Sequence, residues 1–473
     1  MRLRSVVLLV ALLLASGWCL GQSTVILQNP SDAPVGSFGA WPDHGLPRPM
    51  TTAQTAPPAN QAAPSPAAAM RLSLIDAEAI ALKNNPQISV ARLNALASQQ
   101  VTRQVRSALW PTASVDLTGV DAHQDSRIAA GALNNPIIYE RAAAGTQVRQ
   151  LITDFGHTTN LVASARLGAQ AQDQNAVATK EQILLAVAQS FYAALQSEAV
   201  LQVAEQTVAS RQLVADQVGA LARSKLKSDL DLSFANVNLA QAKLLLLDAQ
   251  NNDKAALAAL SAVLGYPTLQ DIVLVDDTSP PSVPPAAVEP LIAEAFRARP
   301  ELLALDYQYR SEQKLKTAAR DQWFPTISAL GVVGDTPVRN EHLSSWFGAV
   351  GVNVEIPVFN GFLFNAREHE ADLRAQAVNQ QLLDLRNRIA RDVRTSWLDA
   401  NTAYERLSVS RQLLDQANLA LDLAKTRYDL GLGSIVELSQ AQLQQTQAEI
   451  ANAQAGYGYR LALTVLRYQT AQL

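Results

Sequence analysis

The chain has 473 residues, a formal net charge of −4 at pH 7 and a single cysteine, Cys19. A nearly balanced charge gives no electrostatic reason to expect binding to nucleic acid. Because the one cysteine lies close to the N-terminus, we expect neither a disulfide framework nor a thiolate metal site in the rest of the chain.

Residues 1–21 have the pattern of a secretory signal peptide. Arg2 and Arg4 precede an apolar run at 6–15, and small residues follow it. This run is shorter than the roughly 20 residues that a membrane helix needs, so we predict an exported chain from which the segment is removed. Lipidation of Cys19 is the alternative, although Trp18 directly before it stands where a lipoprotein signal has a small residue.

Residues 22–70 are crowded with Pro, Ala, Ser, Thr and Gln and are predicted to be a flexible tether. The remaining part, about 400 residues, exceeds a single compact domain and predicts two units or one elongated body. We expect no apolar stretch of membrane-helix length after Leu20, so any membrane crossing is expected to be made by strands.

This remaining part repeats itself. The segment between Pro86 and Pro111 has the same length as the segment between Pro300 and Pro325, and each holds an amphipathic helix. Two later motifs also recur: Asp154-Phe155-Gly156 is matched with Phe359-Asn360-Gly361, and the segment 228–233 with 434–439. A Pro-rich stretch at 280–285 separates the halves, so the repeats are predicted at 71–282 and 283–473.

Very long helices dominate the prediction for each repeat. The segments 157–221 and 362–428 contain no proline and are rich in strong helix formers. At 1.5 Å per residue each helix is about 100 Å long, far longer than a globular domain is wide. A returning helix is predicted after each, beyond a break that contains Gly or Ser. The predicted fold class is therefore mainly α with a small β part.

Four strands are predicted, at 112–120, 145–153, 326–334 and 346–358. The first and last alternate cleanly between apolar and polar residues over about ten positions, as a transmembrane barrel strand requires. A soluble sheet with one buried face gives the same pattern, so both interpretations stay open. Since four strands cannot close a barrel, the barrel interpretation also requires oligomerisation.

The ordered series of motifs at 72–86, 111–112, 154–156 and 427–431 resembles the outer-membrane efflux protein (TolC) family, from about residue 71 to the C-terminus and in both repeats. The resemblance implies two repeats, each with two membrane strands and long antiparallel helices. It implies a homotrimer whose twelve strands form one barrel in outer-membrane lipid, continued by a periplasmic α-helical barrel.

In function, the resemblance implies a passive exit duct in the outer membrane, with a large periplasmic part. Its implied partners are a periplasmic membrane-fusion adaptor and an inner-membrane pump of the RND, ABC or MFS type, for efflux or type I secretion.

The resemblance also assigns the breaks at 221–228 and 428–434 to the periplasmic tip, where the tunnel narrows. Glu437 matches the first of the family's entrance carboxylates, whereas the second position holds Gln440. A gating arginine of some members falls at Gly433, and Tyr428 matches a tyrosine that takes part in closure. The candidate pore-entrance and gate residues are Glu437, Gln440, Tyr428, Gly431, Gly433, Asp229 and Asp231.

Each candidate also has a plainer structural explanation. Carboxylates in the first turn of a helix, as at Asp229, Asp231 and Glu437, are stabilised by the helix dipole. Tyr428 can simply pack a helix end, and glycines such as Gly431 and Gly433 are expected wherever a helix stops and reverses.

No catalytic, cofactor or metal site is predicted. Asp154-Phe155-Gly156 spells a kinase motif, but no kinase catalytic loop accompanies it. Glycines 431 and 433 lack the third glycine of a dinucleotide-binding motif. The five histidines are scattered without metal-ligand spacing. The protein is therefore predicted not to be an enzyme, and a secreted hydrolase would lack an assembled nucleophile or base.

The main alternative is a periplasmic coiled-coil adaptor or scaffold protein without a pore. Such a protein would also have long helical hairpins and a signal peptide. An adaptor usually interrupts its hairpin with a compact β-rich domain, whereas this chain places a strand pair before each long helix. The sequence therefore favours the channel.

Overall fold

The computed structural model describes residues 70–123, 137–270, 272–276 and 282–473. The predicted signal peptide lies outside these residues, as does the predicted tether except for its last residue, Met70, which opens the first strand. The elements in chain order are β1 (Met70–Leu72), α1 (Leu74–Asn84), α2 (Pro86–Ser107), β2 (Thr112–Val120), β3 (Arg141–Thr153), α3 (His157–Arg223), α4 (Asp229–Val263), β4 (Ile272–Leu274), α5 (Glu289–Ala298), α6 (Pro300–Asp321), β5 (Thr326–Arg339), β6 (Trp346–Glu355), α7 (Leu363–Asp429) and α8 (Ile435–Gln469).

Two repeats with one order of elements make up the described chain. The long helices α3 and α7 have 67 residues each, and the returning helices α4 and α8 have 35 each. Helices α2 and α6 also match, with 22 residues each. The mainly α fold with two repeats, predicted from the sequence, is thus confirmed.

The short strands that precede the first helix of each repeat pair with each other. Strand β1 pairs in parallel with β4, so that Arg71 lies opposite Val273. Asp276, just after β4, forms an ion pair with Arg460 of α8 and accepts a hydrogen bond from the Tyr457 hydroxyl at 3.2 Å. Strand β4 precedes the repeat boundary predicted at residue 283. Strand β1 stands in the same way before the helices of the first repeat, so grouping β4 with the helices that follow it places the start of the second repeat near 272.

Both long helices begin after two residues with positive φ. These are Phe155 and Gly156 before α3, and Gly361 and Phe362 before α7. The positions are equivalent when counted back from the helix starts, so Gly156 corresponds to Phe362. The match of Gly156 with Gly361 proposed from the motifs is therefore wrong by one residue. In each repeat an aromatic residue takes one of the two left-handed positions, the first in one repeat and the second in the other, so the glycines do not align.

The core around α3 is built from one face of the helix. Ile183, Val187 and Phe191 are buried against α1 and the end of α4. Asn85, between α1 and α2, donates a hydrogen bond to the Val263 carbonyl at 2.9 Å and fixes this junction.

Among the described residues, α3 is also the one helix with a stretch that is long and apolar enough to cross a membrane by length and composition. The expectation that no such stretch follows Leu20 is therefore wrong. Its apolar residues Ile183, Val187 and Phe191 are accounted for by packing in this core.

The strands form one antiparallel sheet of order β2-β3-β5-β6, in which β3–β5 pairing joins the two repeats. Strand β2 has the predicted bounds. Strands β3 and β5 extend beyond the predicted residues, to Arg141 and Arg339, and β6 ends three residues earlier, at Glu355.

The register places the apolar residues predicted in β2 and β6 on one face. Val350 lies opposite Gly331, which lies opposite Val148, which lies opposite Ala113. On the other face Phe347 lies over Gly334, where an added Cβ would approach the ring to 2.2 Å. A glycine is therefore required under this aromatic ring.

Candidate functional site

The breaks between the long and returning helices have the same backbone conformation in both repeats. In the second break the amides of Leu432 and Gly433 both donate to the Arg427 carbonyl, at 2.8 and 3.0 Å. In the first break the amides of Leu226 and Lys227 donate to the Leu221 carbonyl, at 2.9 and 3.3 Å. In each break these hydrogen bonds satisfy a carbonyl at the end of the long helix, and the chain reverses direction.

The residue that reverses the chain has positive φ in each break. It is Gly431 in the second break, with φ 74°, and Lys225 in the first, with φ 57°. A left-handed conformation is free of strain for glycine and costs a side chain about 1–2 kcal/mol. Gly431 therefore has the turn role expected of it, and the first repeat makes the same turn with strain.

A small hydrophobic cluster holds the two breaks against each other. Tyr428 of α7, together with Ile435 and Leu438 of α8, packs on Ala215 and Val218 of α3. Tyr428 is 5% exposed. It therefore closes the contact between the two repeats at this end of the helices.

The Tyr428 hydroxyl has no hydrogen-bond partner among the described residues. Burial raises the pKa of this hydroxyl, and the carboxylates of Asp231 and Asp429 raise it further. Lys227 Nζ lies 3.9 Å from the centre of the Tyr428 ring, which is within the range of a cation–π contact. An aromatic ring of the second repeat is thus covered by a cation of the first.

Glu437 takes part in two local interactions. Its amide donates to Ser434 Oγ at 3.1 Å, so it lies in the first turn of a capped helix. Its carboxylate lies 3.0 Å from Arg427 Nε across the break. Arg427 also donates to the Leu432 carbonyl at 3.3 Å. Glu437 is therefore neutralised by a neighbouring cation in this conformation.

Asp231 is committed to capping α4. Its carboxylate accepts from the backbone amide and hydroxyl of Ser228, at 3.2 and 2.9 Å, and the Ser228 hydroxyl accepts from the Asp231 amide at 3.1 Å. Asp229 lies beside it and is exposed. The plainer explanation by helix capping therefore accounts for Asp231.

Gly433 and Gln440 occupy positions where the family resemblance expects charge. A Cβ at Gly433 would lie 3.2 Å from atoms of Arg427, Tyr428 and Glu437, which is closer than an ordinary van der Waals contact. A larger side chain at this position thus requires these neighbours to move. Gln440 is exposed on the first turns of α8.

The structure brings Tyr428, Gly431, Gly433 and Glu437 together at one break, and Asp231 approaches from the other. Sequence reasoning missed the two cations, Arg427 and Lys227. Arg427 lies inside the motif that carried the resemblance. Lys227 is the repeat equivalent of Gly433, because both stand directly before the serine that caps the returning helix. A residue-by-residue alignment of the repeats would have found it.

No group of three or more His, Cys, Asp or Glu side chains in the described part of the chain is arranged to hold a metal ion.

The described chain is thus a duplicated unit in which two strands precede a very long helical hairpin. The family model described as outer membrane efflux protein matches residues 79–266 and 291–470, one match in each repeat. The chain belongs to the outer membrane efflux protein family.

Several relatives are similar along most of their length. Outer membrane protein TolC of Vibrio cholerae is 24% identical over 82% of this chain and 88% of its own. Protein CyaE of Bordetella pertussis is 24% identical over 83% of both chains.

Solved structures share the fold. A crystal structure of CusC superposes with a TM-score of 0.74 over 84% of this chain and 91% of its own, at 20% identity. The outer membrane channel CmeC of Campylobacter jejuni also gives a TM-score of 0.74, over 84% and 85% of the two chains, at 16% identity.

Family membership confirms the predicted function and location: the protein is an outer-membrane efflux channel protein, and its long helices form the periplasmic part. Nothing in these similarities supports the alternative of a periplasmic adaptor or scaffold. Members of the family are channel proteins rather than enzymes.

Proposed function

We propose that three copies of the chain close their sheets into one twelve-stranded barrel and form a passive exit duct without catalytic activity. In this proposal residues 1–21 are removed on export, residues 22–70 are a tether, and the repeats at 71–282 and 283–473 each contribute two membrane strands. The observation that carries the proposal is a four-stranded sheet with an exposed apolar face and two exposed edge strands.

The apolar face is the first support. Val350 is 91% exposed, and Val352 of β6, Val333 of β5, Val115 and Leu117 of β2 on the same face are also exposed. A soluble sheet would bury such a face against another layer. Lipid is the environment in which an uncovered apolar face of this size is stable.

The edges of the sheet are the second support. Strands β2 and β6 each pair with one other strand among the described residues. Unpaired edges are costly in a membrane, where no water satisfies the backbone groups. A barrel of eight strands from two copies would have its interior filled by side chains, whereas a barrel of twelve strands from three copies leaves room for a lumen.

Aromatic residues at the junction of sheet and helices are the third support. They are exposed despite their size: Trp110, Trp323, Phe324, Phe359 and Phe362. Outer-membrane barrels carry aromatic girdles where the hydrocarbon meets the headgroups. We therefore assign this junction to the periplasmic surface of the membrane, from which α3 and α7 extend about 100 Å.

We assign the contact with a periplasmic adaptor to the opposite end of the helices. Leu226 and Leu432, at equivalent positions in the two breaks, are 71% and 69% exposed, and Leu230 and Val436 behind them are exposed as well. Isolated exposed apolar residues are ordinary, but a pattern that recurs in both repeats indicates an interaction surface. The pump that delivers substrate is of the RND, ABC or MFS type and acts in efflux or type I secretion.

The gate in this proposal is the cluster around Tyr428. The contact of Lys227 with Tyr428 holds the two breaks together, and the Arg427–Glu437 ion pair fixes the conformation of the second break. In this proposal, separation of the breaks widens the entrance. Glu437 concentrates cations at the entrance only when Arg427 leaves it. Gln440, Gly431, Gly433, Asp229 and Asp231 line or shape the same entrance.

Conductance in planar bilayers, measured together with the subunit count of protein purified from the outer-membrane fraction, tests the proposal. Trimers that give discrete conductance steps are the expected result. Non-conducting monomers in the soluble fraction would contradict it and would favour the adaptor or scaffold.

A further inference from the structure

A buried arginine lies in the wall of a groove between three long helices, far from the sheet and next to the hydrophobic cluster at the helix breaks. Arg211 of α3 is 7% exposed. Its Nη2 donates to the Gln442 carbonyl at 2.8 Å and to Thr446 Oγ1 at 3.2 Å, both on α8. Thr446 Oγ1 is oriented by its own hydrogen bond to the Gln442 carbonyl at 3.1 Å.

Neither acceptor of Arg211 carries a charge. Within the described residues, Nε and Nη1 of Arg211 have no hydrogen-bond partner, and no carboxylate lies within ion-pair distance. Buried arginines are normally paired with a carboxylate, because an uncompensated buried charge is costly. Burial lowers the pKa of this guanidinium to about 10, and the Glu449 carboxylate offsets only part of that effect.

The groove beside Arg211 has a volume of about 390 Å³, in the range of small-ligand sites. Its walls come from α3, α4 and α8 and offer two kinds of surface. Asn238, which donates to Ser439 Oγ at 2.6 Å, is a polar group near one end. Leu245, Leu443 and Ile450 are apolar and only partly covered.

We propose that this groove binds small amphipathic carboxylic acids, with the carboxylate accepting a hydrogen bond from a free N–H group of Arg211 and the apolar body against Leu245, Leu443 and Ile450. The N–H groups of Arg211 that the protein leaves free can donate a charge-assisted hydrogen bond to a carboxylate oxygen, and the positive charge attracts the carboxylate. The proposal does not rest on the channel function, since the groove lies within one chain.

Titration calorimetry of the purified full-length protein with sodium benzoate tests the proposal, with benzamide as the neutral ligand of the same shape. We expect saturable binding of one benzoate per chain and at least about tenfold weaker binding of benzamide, the effect of losing a charge-assisted hydrogen bond. Equal binding of the two ligands, or no saturable binding of benzoate, would overturn the proposal.

Arg211→Gln is expected to weaken benzoate binding by at least about tenfold. Arg388→Gln is the matched control, because Arg388 lies on α7 in an exposed ion pair with Asp384 at 3.0 Å. Gln241→Trp fills the groove from its exposed rim without touching the Arg211 hydrogen bonds, and it should abolish binding in a folded protein. Unchanged benzoate binding in Arg211→Gln or in Gln241→Trp would overturn the proposal.

Discussion

Arg427 and Glu437 form an ion pair across the break between α7 and α8, with Arg427 Nε 3.0 Å from Glu437 Oε1. Ten residues separate the two in sequence, and only the reversal of the chain at Gly431 brings them together. Both side chains are about half exposed. An exposed pair stabilises a fold by about 0–1 kcal/mol, so we expect its importance to lie in the conformation of the entrance rather than in stability.

Breaking this pair should therefore open the entrance with little loss of stability. Glu437→Gln and Arg427→Gln are each expected to raise the single-channel conductance or open fraction in planar bilayers, and the double variant should add little to either. Arg388→Gln, which breaks an exposed pair far from the break, is the control. Additive effects of the two single variants would show that the residues act independently.

The unpartnered hydroxyl of Tyr428 predicts opposite results for two substitutions. Tyr428→Phe removes a buried polar group without a partner and keeps the ring under Lys227, so local stability should rise by about 1 kcal/mol. Tyr428→Ala removes the ring and should cost about 3 kcal/mol. Hydrogen exchange of amides around the break measures both, and a loss of protection in Tyr428→Phe would contradict the assignment.

The equivalent positions Gly431 and Lys225 also predict effects of opposite sign. Gly431→Ala places a side chain in a left-handed conformation and should destabilise its break by about 1 kcal/mol. Lys225→Gly relieves the same strain in the first repeat and should stabilise its break by a similar amount. Hydrogen exchange compares the two variants, and effects of the same sign would refute the equivalence of the breaks.

The two faces of β6 should differ in their tolerance of charge. Val350→Lys places an ammonium group on the proposed lipid face and should cost about 2–4 kcal/mol if Val350 lies near the bilayer midplane. Ala349→Lys places the same group on the opposite face, in the row that contains Val332 and Gln147, and should be tolerated. Yield of trimer from the outer-membrane fraction is the measurement; equal yields would place the lipid boundary elsewhere.

Tyr457 predicts a loss of stability at alkaline pH. Burial, followed by the nearby Asp276 carboxylate, raises the pKa of its hydroxyl from 10.0 to about 12. Between these values the unfolded chain releases a proton that the folded chain keeps, so the free energy of unfolding falls as pH rises from 10 to about 12. Thermal unfolding of Tyr457→Phe should show a flatter decline than that of the wild-type protein. Tyr307→Phe is the control, since the Tyr307 hydroxyl has no hydrogen bond within the described residues, and a decline unchanged by Tyr457→Phe would contradict the prediction.

Much of the fold could be predicted because the duplication and the long helices follow from the spacing of prolines along the chain. The equal separation of Pro86 from Pro111 and of Pro300 from Pro325 revealed the duplication, and proline-free stretches revealed the long helices. The offset of one residue at Gly156 could not be predicted, because Phe155 and Phe362 take a conformation that sequence reasoning reserves for glycine.

The candidate site was predicted less completely, because its contacts cross the repeats. The sequence motifs identify Tyr428 and Glu437, but they describe each residue only within its own helix. The cation over Tyr428 is Lys227, which belongs to the other helical hairpin. Residue spacing within one hairpin therefore does not predict this contact. Arg427 pairs with Glu437 through a turn geometry that helical periodicity does not describe.

Two strand pairings join the repeats: β1 pairs with its equivalent β4, and β3, the second sheet strand of the first repeat, pairs with β5, the first sheet strand of the second. Each unit therefore carries a surface that accepts another unit of its own kind. A chain cut between the repeats should yield two fragments that reassociate without a covalent connection, and a polypeptide with a single repeat could assemble the same wall from twice as many chains. The covalent link fixes which two units are neighbours, and in doing so it allows the two breaks to diverge, as Lys227 and Gly433 have done.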